Sequence, residues 1–212
     1  MKKIAYIATL AAGLGLASAA LAGESSWGPG ADDASFQAML KSGFRDAGIV
    51  KTTRLEQDAT QAFCSDPKFA ESKDAAKKRA EIEAANLATV KWPSDGKFLG
   101  DYKEGEKVAQ SGRGLTSTDK ADQVNGGNCY NCHQLDPKEI SYGTIGPSLL
   151  GYGKLKGTSE TALKETWSKI WNSKSSNACS NMPRGGHMGI ITEKQIQDLM
   201  ALLLDPASPV NK

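Results

Sequence analysis

The tightest constraint on how this chain can fold is a pentapeptide past its midpoint, Cys129-Tyr130-Asn131-Cys132-His133. Cys-x-x-Cys-His is the attachment signature of c-type haem. Two residues on a helical turn separate the thiols by the spacing of the two haem vinyl groups, and the histidine that follows lies under the iron. The motif therefore predicts one covalent haem c, attached through Cys129 and Cys132, with His133 as the proximal iron ligand.

Two other interpretations of this motif stay open at this point. A thioredoxin-like redox dithiol requires a strand–helix context and a cysteine of low pKa, and no such strand–helix pattern surrounds the motif. A zinc site requires a fourth ligand, which Cys179 or His187 would supply. The chain has only four cysteines and two histidines, so any metal site has few ligands to draw on.

The first 22 residues have the pattern of a secretory signal peptide. The basic pair Lys2-Lys3 precedes an apolar run over residues 4–21, and Ala20-Leu21-Ala22 predicts cleavage after Ala22. No later stretch has the roughly 18 apolar residues that span a bilayer. We therefore expect a periplasmic protein with no membrane anchor.

The charge balance excludes one class of partner. Lys2 and Lys3 are two of the 26 basic residues, so the exported chain keeps 24 basic residues against 24 acidic ones. Binding of nucleic acid requires a basic face, which a chain without net charge does not favour. We therefore expect no nucleic-acid partner.

Apolar periodicity predicts helices and no strands. The predicted helices are Ser35–Asp46, Glu71–Val90, Glu104–Gln110, Thr161–Trp171 and Thr192–Leu204. In the last of these, Thr192 and Gln195 have the spacing of a capping box. The sequence predicts an all-α protein, with a helical N-terminal extension over residues 23–94 and a haem domain over residues 95–212 that resembles class I cytochrome c.

The second axial ligand of the iron is expected to be a methionine or a histidine. Met182 is favoured because it precedes a rigid proline and lies in a loop shortly before the last helix. His187 and Met188 remain alternatives. Met200 lies on the apolar stripe of the last helix, where packing in the core is the better interpretation.

Cys64 and Cys179 lie outside the haem motif. In an oxidising compartment two remaining cysteines usually pair. We expect a Cys64–Cys179 disulfide that joins the N-terminal extension to the Met182 loop. The alternative is that one of them is a reactive free thiol or an iron ligand.

Four segments of the chain resemble the SoxX family, the small monohaem subunits of the SoxAX cytochromes of bacterial thiosulfate oxidation. These segments are residues 126–128, 143–149, 178–184 and 204–211. The resemblance covers about residues 95–212. It implies that Cys129 and Cys132 bind haem, that His133 and Met182 are the axial ligands, and that the chain is a subunit of an L-cysteine S-thiosulfotransferase.

The resemblance also implies a set of partners. SoxAX is a periplasmic heterodimer in which a SoxA-type cytochrome, with one or two haems, carries the reacting haem. Thiosulfate is coupled oxidatively to a cysteine of a SoxYZ-type carrier, and the SoxX haem passes the electrons to a downstream small cytochrome c. Arg184 is expected either near the haem edge or in a salt bridge at the surface. The alternative function is a free-standing periplasmic monohaem carrier.

Overall fold

A computed structural model describes residues 34–70 and 72–212 of the chain. The predicted signal peptide, residues 1–22, lies outside the described residues. The first helix, α1 (Ala34–Gly43), belongs to a compact unit that ends at Phe44, and it has no buried residue. It ends earlier than the predicted Ser35–Asp46 helix.

Residues 45–212 form the second compact unit, and it is built from helices and loops. Its α-helices are α2 (Ala59–Ser65), α3 (Pro67–Ala70), α4 (Ala75–Leu87), α5 (Tyr102–Gln110), α6 (Tyr152–Lys156), α7 (Glu160–Trp171) and α8 (Glu193–Leu204). Single 3-10 turns occupy Thr52–Leu55, Cys129–Asn131, Ser173–Ser175 and Pro209–Asn211. No strand occurs in the described ranges, so the all-α prediction is confirmed. The boundary at residues 94–95 stays a prediction.

Helix α8 is the centre of the core. Thr192 and Gln195 form the capping box that the sequence predicts, and every residue from Gln195 to Leu204 is buried. Met200 is completely buried, as its place on the apolar stripe indicated. Helix α5 packs closely on α8, since a Cβ atom at Gly105 would lie 2.1 Å from the carbonyl oxygen of Asp198. The two helices can approach this closely only because residue 105 has no side chain.

Helix α4 packs beside the turn that follows α7. The Asn172 side chain, which is fully buried, donates hydrogen bonds to Asn86 Oδ1 at 3.0 Å and to Thr89 Oγ1 at 3.1 Å. These bonds join the N-terminal half of the unit to the segment that leads to Met182. Within the described part of the chain, no helix has the length and the apolar character needed to cross a membrane.

Candidate haem site

The two cysteines of the motif lie on one tight turn. Cys129–Asn131 is a single 3-10 turn, and the amides of Cys132 and His133 both donate to the Cys129 carbonyl oxygen, at 3.1 and 2.9 Å. Neither Cys129 nor Cys132 is in a disulfide. The turn therefore places two free thiols and an imidazole within five consecutive residues.

The ring of His133 is held by the loop that follows the motif. Its Nδ1 lies 2.7 Å from the Pro147 carbonyl oxygen, which can only accept, so Nδ1 donates this bond and Nε2 is the nitrogen left to bind a metal. Metal-bound histidines are oriented by this kind of bond from the second ring nitrogen. Gly146 lies flat against the ring, because a Cβ there would be 2.2 Å from His133 Cε1.

The same loop is bonded to the backbone of the motif. The amide of Gly143 donates to Tyr130 O and the amide of Gly146 donates to Cys132 O, both at 2.8 Å. Ile145, between these two bonds, is 83% exposed, and Ile140, three residues before Gly143, is 90% exposed. The loop therefore fixes the proximal side and presents an apolar surface beside it.

Burial disfavours the thiolate form of Cys129. It raises the pKa of the Cys129 thiol to about 12, whereas a redox-active dithiol needs a depressed pKa. The dithiol interpretation therefore loses support. The described residues also contain no group of three or more His, Cys, Asp or Glu side chains able to hold a metal ion, and Cys179, one proposed zinc ligand, is in a disulfide.

A partly buried acid, Glu106, lies behind the motif. The Tyr130 hydroxyl donates to Glu106 Oε1 at 2.7 Å and accepts from the Asp136 amide at 3.1 Å. Glu106 Oε2 is buried without a hydrogen-bond partner. Burial raises the pKa of Glu106, and the nearby charges of Asp136 and Glu139 act in the same direction. Sequence analysis missed Glu106, since nothing in its spacing separates it from other glutamates on a helix.

A Glu106→Gln variant is expected to lose part of the pH dependence of stability. The pKa of Glu106 in the folded protein lies above its ordinary value of 4.5, so the folded state binds this proton more tightly than the unfolded chain does. The stability that this provides is present below pH 4.5 and is lost as the pH rises through the folded-state pKa. Glutamine stays neutral at every pH. The unfolding free energy of the variant, measured by urea titration, should therefore fall less than that of the wild type as the pH rises from 4.5 through the folded-state pKa of Glu106. Glu104→Gln, at an exposed residue paired with Lys107, is the control and should keep the wild-type slope.

Met182 lies in a segment whose backbone is fixed on both sides. Its amide donates to Ser180 Oγ at 3.2 Å, and its carbonyl oxygen accepts from Ser173 Oγ at 2.5 Å. The side chain is 37% exposed, against 58% for Met188. His187 is exposed, and its amide donates to the Trp171 carbonyl oxygen at 2.9 Å.

The N-terminal half of the unit braces the Met182 segment by three contacts. Cys64 and Cys179 form the expected disulfide, with 5.4 Å between their Cα atoms. The Ala178 amide donates to Glu83 Oε1 at 3.0 Å. Arg184 pairs with Asp58 at 2.7 Å, and its side chain is only 14% exposed. Because Cys64 and Cys179 are both in the disulfide, the alternative of a free thiol or an iron ligand is wrong for both residues. Arg184 lies in an ion pair whose carboxylate, Asp58, is 39% exposed.

These residues fit a covalently bound haem. The fit rests on two free thiols on one turn and a histidine whose Nε2 is available. In addition, the Nε1 hydrogen of buried Trp171 has no acceptor among the described residues, and this tryptophan packs against Gly186, four residues after Met182. A buried N–H without an acceptor is rare in folded proteins, so the site leaves a donor for an acceptor that the protein does not supply.

Comparison with known proteins defines the class. Residues 118–205 match the family model described as cytochrome c. The region that builds the site is therefore a cytochrome c domain with covalently attached, iron-containing haem c, and its role is electron transfer. A protein of Aquifex aeolicus (strain VF5), described as an uncharacterized lipoprotein, is 40% identical over 159 residues, which are 74% of this chain and 73% of that protein. The chain belongs to the same family as this relative.

Proposed function

We propose that this chain is the SoxX-like electron-transfer subunit of a thiosulfate-oxidising cytochrome. Cys129 and Cys132 hold the haem through two thioethers, and His133 and Met182 are its axial ligands. When bound, the haem supplies one-electron transfer between ferric and ferrous iron. The chain's own residues attach the group, orient the proximal ring and shield the site from water.

This proposal rests on the positions of two SoxX-like segments in the structure. Residues 143–149 form the loop that orients His133, and residues 178–184 form the braced segment that contains Met182. Two of the four SoxX-like segments thus contain, or hydrogen-bond to, residues proposed as iron ligands. Met182 is favoured over Met188 because its side chain is less exposed and both of its backbone polar groups are bonded.

An exposed apolar surface beside the haem motif supports docking of a partner. Ile140 and Ile145 are largely exposed on a loop hydrogen-bonded to Tyr130 and Cys132. Exposed clusters of large apolar residues mark interaction surfaces. The proposed partner is a SoxA-type cytochrome. Its reaction joins thiosulfate to a carrier cysteine and releases two electrons, which this chain passes singly to a downstream small cytochrome c.

Two observations favour export to the periplasm. The Cys64–Cys179 disulfide is a bond that persists in oxidising compartments. The Aquifex aeolicus relative is described as a lipoprotein. Both agree with the signal pattern that precedes the predicted cleavage site after Ala22.

The test is to purify the native protein by size exclusion while recording haem and peptide absorbance. We expect co-elution with a second, larger haem protein, and thiosulfate-dependent electron flow only when both are present with the carrier. An I140S/I145S variant should weaken this complex, because it removes two exposed apolar side chains near the haem motif. The control is Leu155→Ser, at an equally exposed apolar residue on α6.

Three results would contradict the proposal. The first is a colourless protein after haem maturation. The second is full thiosulfate turnover by this chain alone. The third is a monodisperse monomer that exchanges electrons rapidly without a stable partner, which identifies a free-standing carrier.

A further inference from the structure

The disulfide lies at the edge of a polar cleft that also borders Met182. The cleft has a volume of about 320 Å³ and is bounded by the Cys64–Cys179 disulfide, by Met182 and by two cations, Lys174 and Arg184. Its other polar lining consists of neutral hydrogen-bonding side chains: Gln57, Gln61, Ser65, Ser180 and Asn181. Within the described part of the chain, no carboxylate lines the cleft.

Lys174 is the unusual residue of this cleft. It is only 7% exposed, yet no carboxylate of the described residues lies within 4.0 Å of its ammonium group. Its Nζ donates to the carbonyl oxygens of Ala178 at 3.1 Å and Ser180 at 3.4 Å. Two acceptors leave one of the three ammonium hydrogens without a protein partner. Buried charges are normally paired, so an unpaired ammonium calls for an anion.

Arg184 adds a second positive charge that is only partly neutralised. Its one acidic partner is Asp58, at 2.7 Å. The other oxygen of Asp58 accepts from the Gln61 amide at 2.8 Å, so this carboxylate caps α2 as well as pairing with Arg184. Asp58 also interacts electrostatically with Lys174, so the two cations that line the cleft carry one positive charge more than this carboxylate neutralises. Burial and the charge of Arg184 both lower the pKa of Lys174, which a bound anion would oppose.

We propose that this cleft binds one small oxyanion, a tetrahedral dianion of the size of sulfate, between Lys174 and Arg184. The ammonium donates its free hydrogen to the anion, the guanidinium supplies a second charged donor, and the neutral amides and hydroxyls complete the shell. This site does not depend on the partner proposed above.

The site is expected to act on the electron-transfer reaction because it adjoins Met182. An anion beside the axial ligand stabilises the oxidised iron, which carries one more positive charge than the reduced iron. The reduction potential should therefore fall as the site fills. By linkage, the oxidised protein should bind the anion more tightly than the reduced protein does.

The direct test is equilibrium dialysis of the oxidised holoprotein with radiolabelled sulfate, at ionic strength held constant with sodium chloride. We expect saturable binding of one sulfate per chain. In a Lys174→Gln variant the affinity should fall about tenfold or more, the effect of losing one charge-assisted hydrogen bond. Lys169→Gln removes the same charge from an exposed residue of α7 and should bind sulfate like the wild type.

Sulfate also stabilises proteins by exclusion from their surfaces, but that effect does not saturate at one ion and acts on both variants alike. Absence of saturable binding by the wild type overturns the proposal, whether or not the Lys174 variant folds. Equal affinity of the Lys174→Gln variant and the wild type overturns it too. A reduction potential that does not change with sulfate, while dialysis shows one bound ion, would overturn the proposed effect of the anion on electron transfer.

Discussion

A Met182→Ala variant is expected to keep its covalent haem but to lose the weak methionine-to-iron charge-transfer band at the red end of the spectrum. The haem stays attached because Cys129 and Cys132 are untouched. The reduction potential should fall by tenths of a volt, since a methionine opposite a histidine raises the potential, and axial ligands set haem potentials over roughly 0.8 V. Absorption spectroscopy of the oxidised protein and a potentiometric titration measure the two effects.

Met188→Ala is the matched control for this variant. It removes the same side chain six positions further along, from a residue that is 58% exposed. We expect the Met188 variant to keep both the band and the potential of the wild type. The opposite pattern would make Met188 the ligand, and absence of the band from the wild-type protein would leave His187 as the candidate.

The proximal side of the site could be predicted from the sequence because it is local. The thiols and the imidazole lie within five residues, and the spacing alone defines their chemistry. What the sequence did not predict is the bond from His133 Nδ1 to the Pro147 carbonyl oxygen. That bond depends on the path of a glycine-containing loop, which has no periodic pattern.

The distal side depends on contacts between distant parts of the chain. Cys64 and Cys179 are separated by 115 positions, and their pairing was expected only because no other cysteine was left. The Asp58–Arg184 and Glu83–Ala178 contacts had no signal in the sequence, because charged and polar residues of this kind occur throughout the surface. Lys174 was missed for the same reason.

The length of a helix explains whether the sequence predicted it. Helix α8 has both a capping box and an apolar stripe, and it was predicted to within a residue at its start. Helices α2, α3 and α6 have seven, four and five residues, too few to repeat an apolar pattern. Helix α4 was predicted too long, as Glu71–Val90, whereas the structure limits it to Ala75–Leu87.

Replacing both Cys64 and Cys179 by alanine should destabilise the protein by about 2–5 kcal/mol, the usual cost of losing a native disulfide. The large effect is expected because the bridge closes a long loop, with 115 positions between its ends. Without it the unfolded chain gains conformational freedom. The haem should remain attached, because its two thioethers use Cys129 and Cys132. Urea unfolding followed by the absorbance of the haem measures the change.

The double variant of Cys64 and Cys179 also tests whether the disulfide positions Met182, because the disulfide holds the segment that contains this residue. If that segment is the distal side, the charge-transfer band should weaken or become more dependent on temperature in the double variant. An Asp58→Asn variant serves as the comparison: it weakens the neighbouring contact to Arg184 and leaves the covalent bridge in place. It should cost less stability and keep more of the band. A double variant with the wild-type unfolding midpoint and an unchanged band would show that the bridge neither stabilises the fold nor positions the ligand.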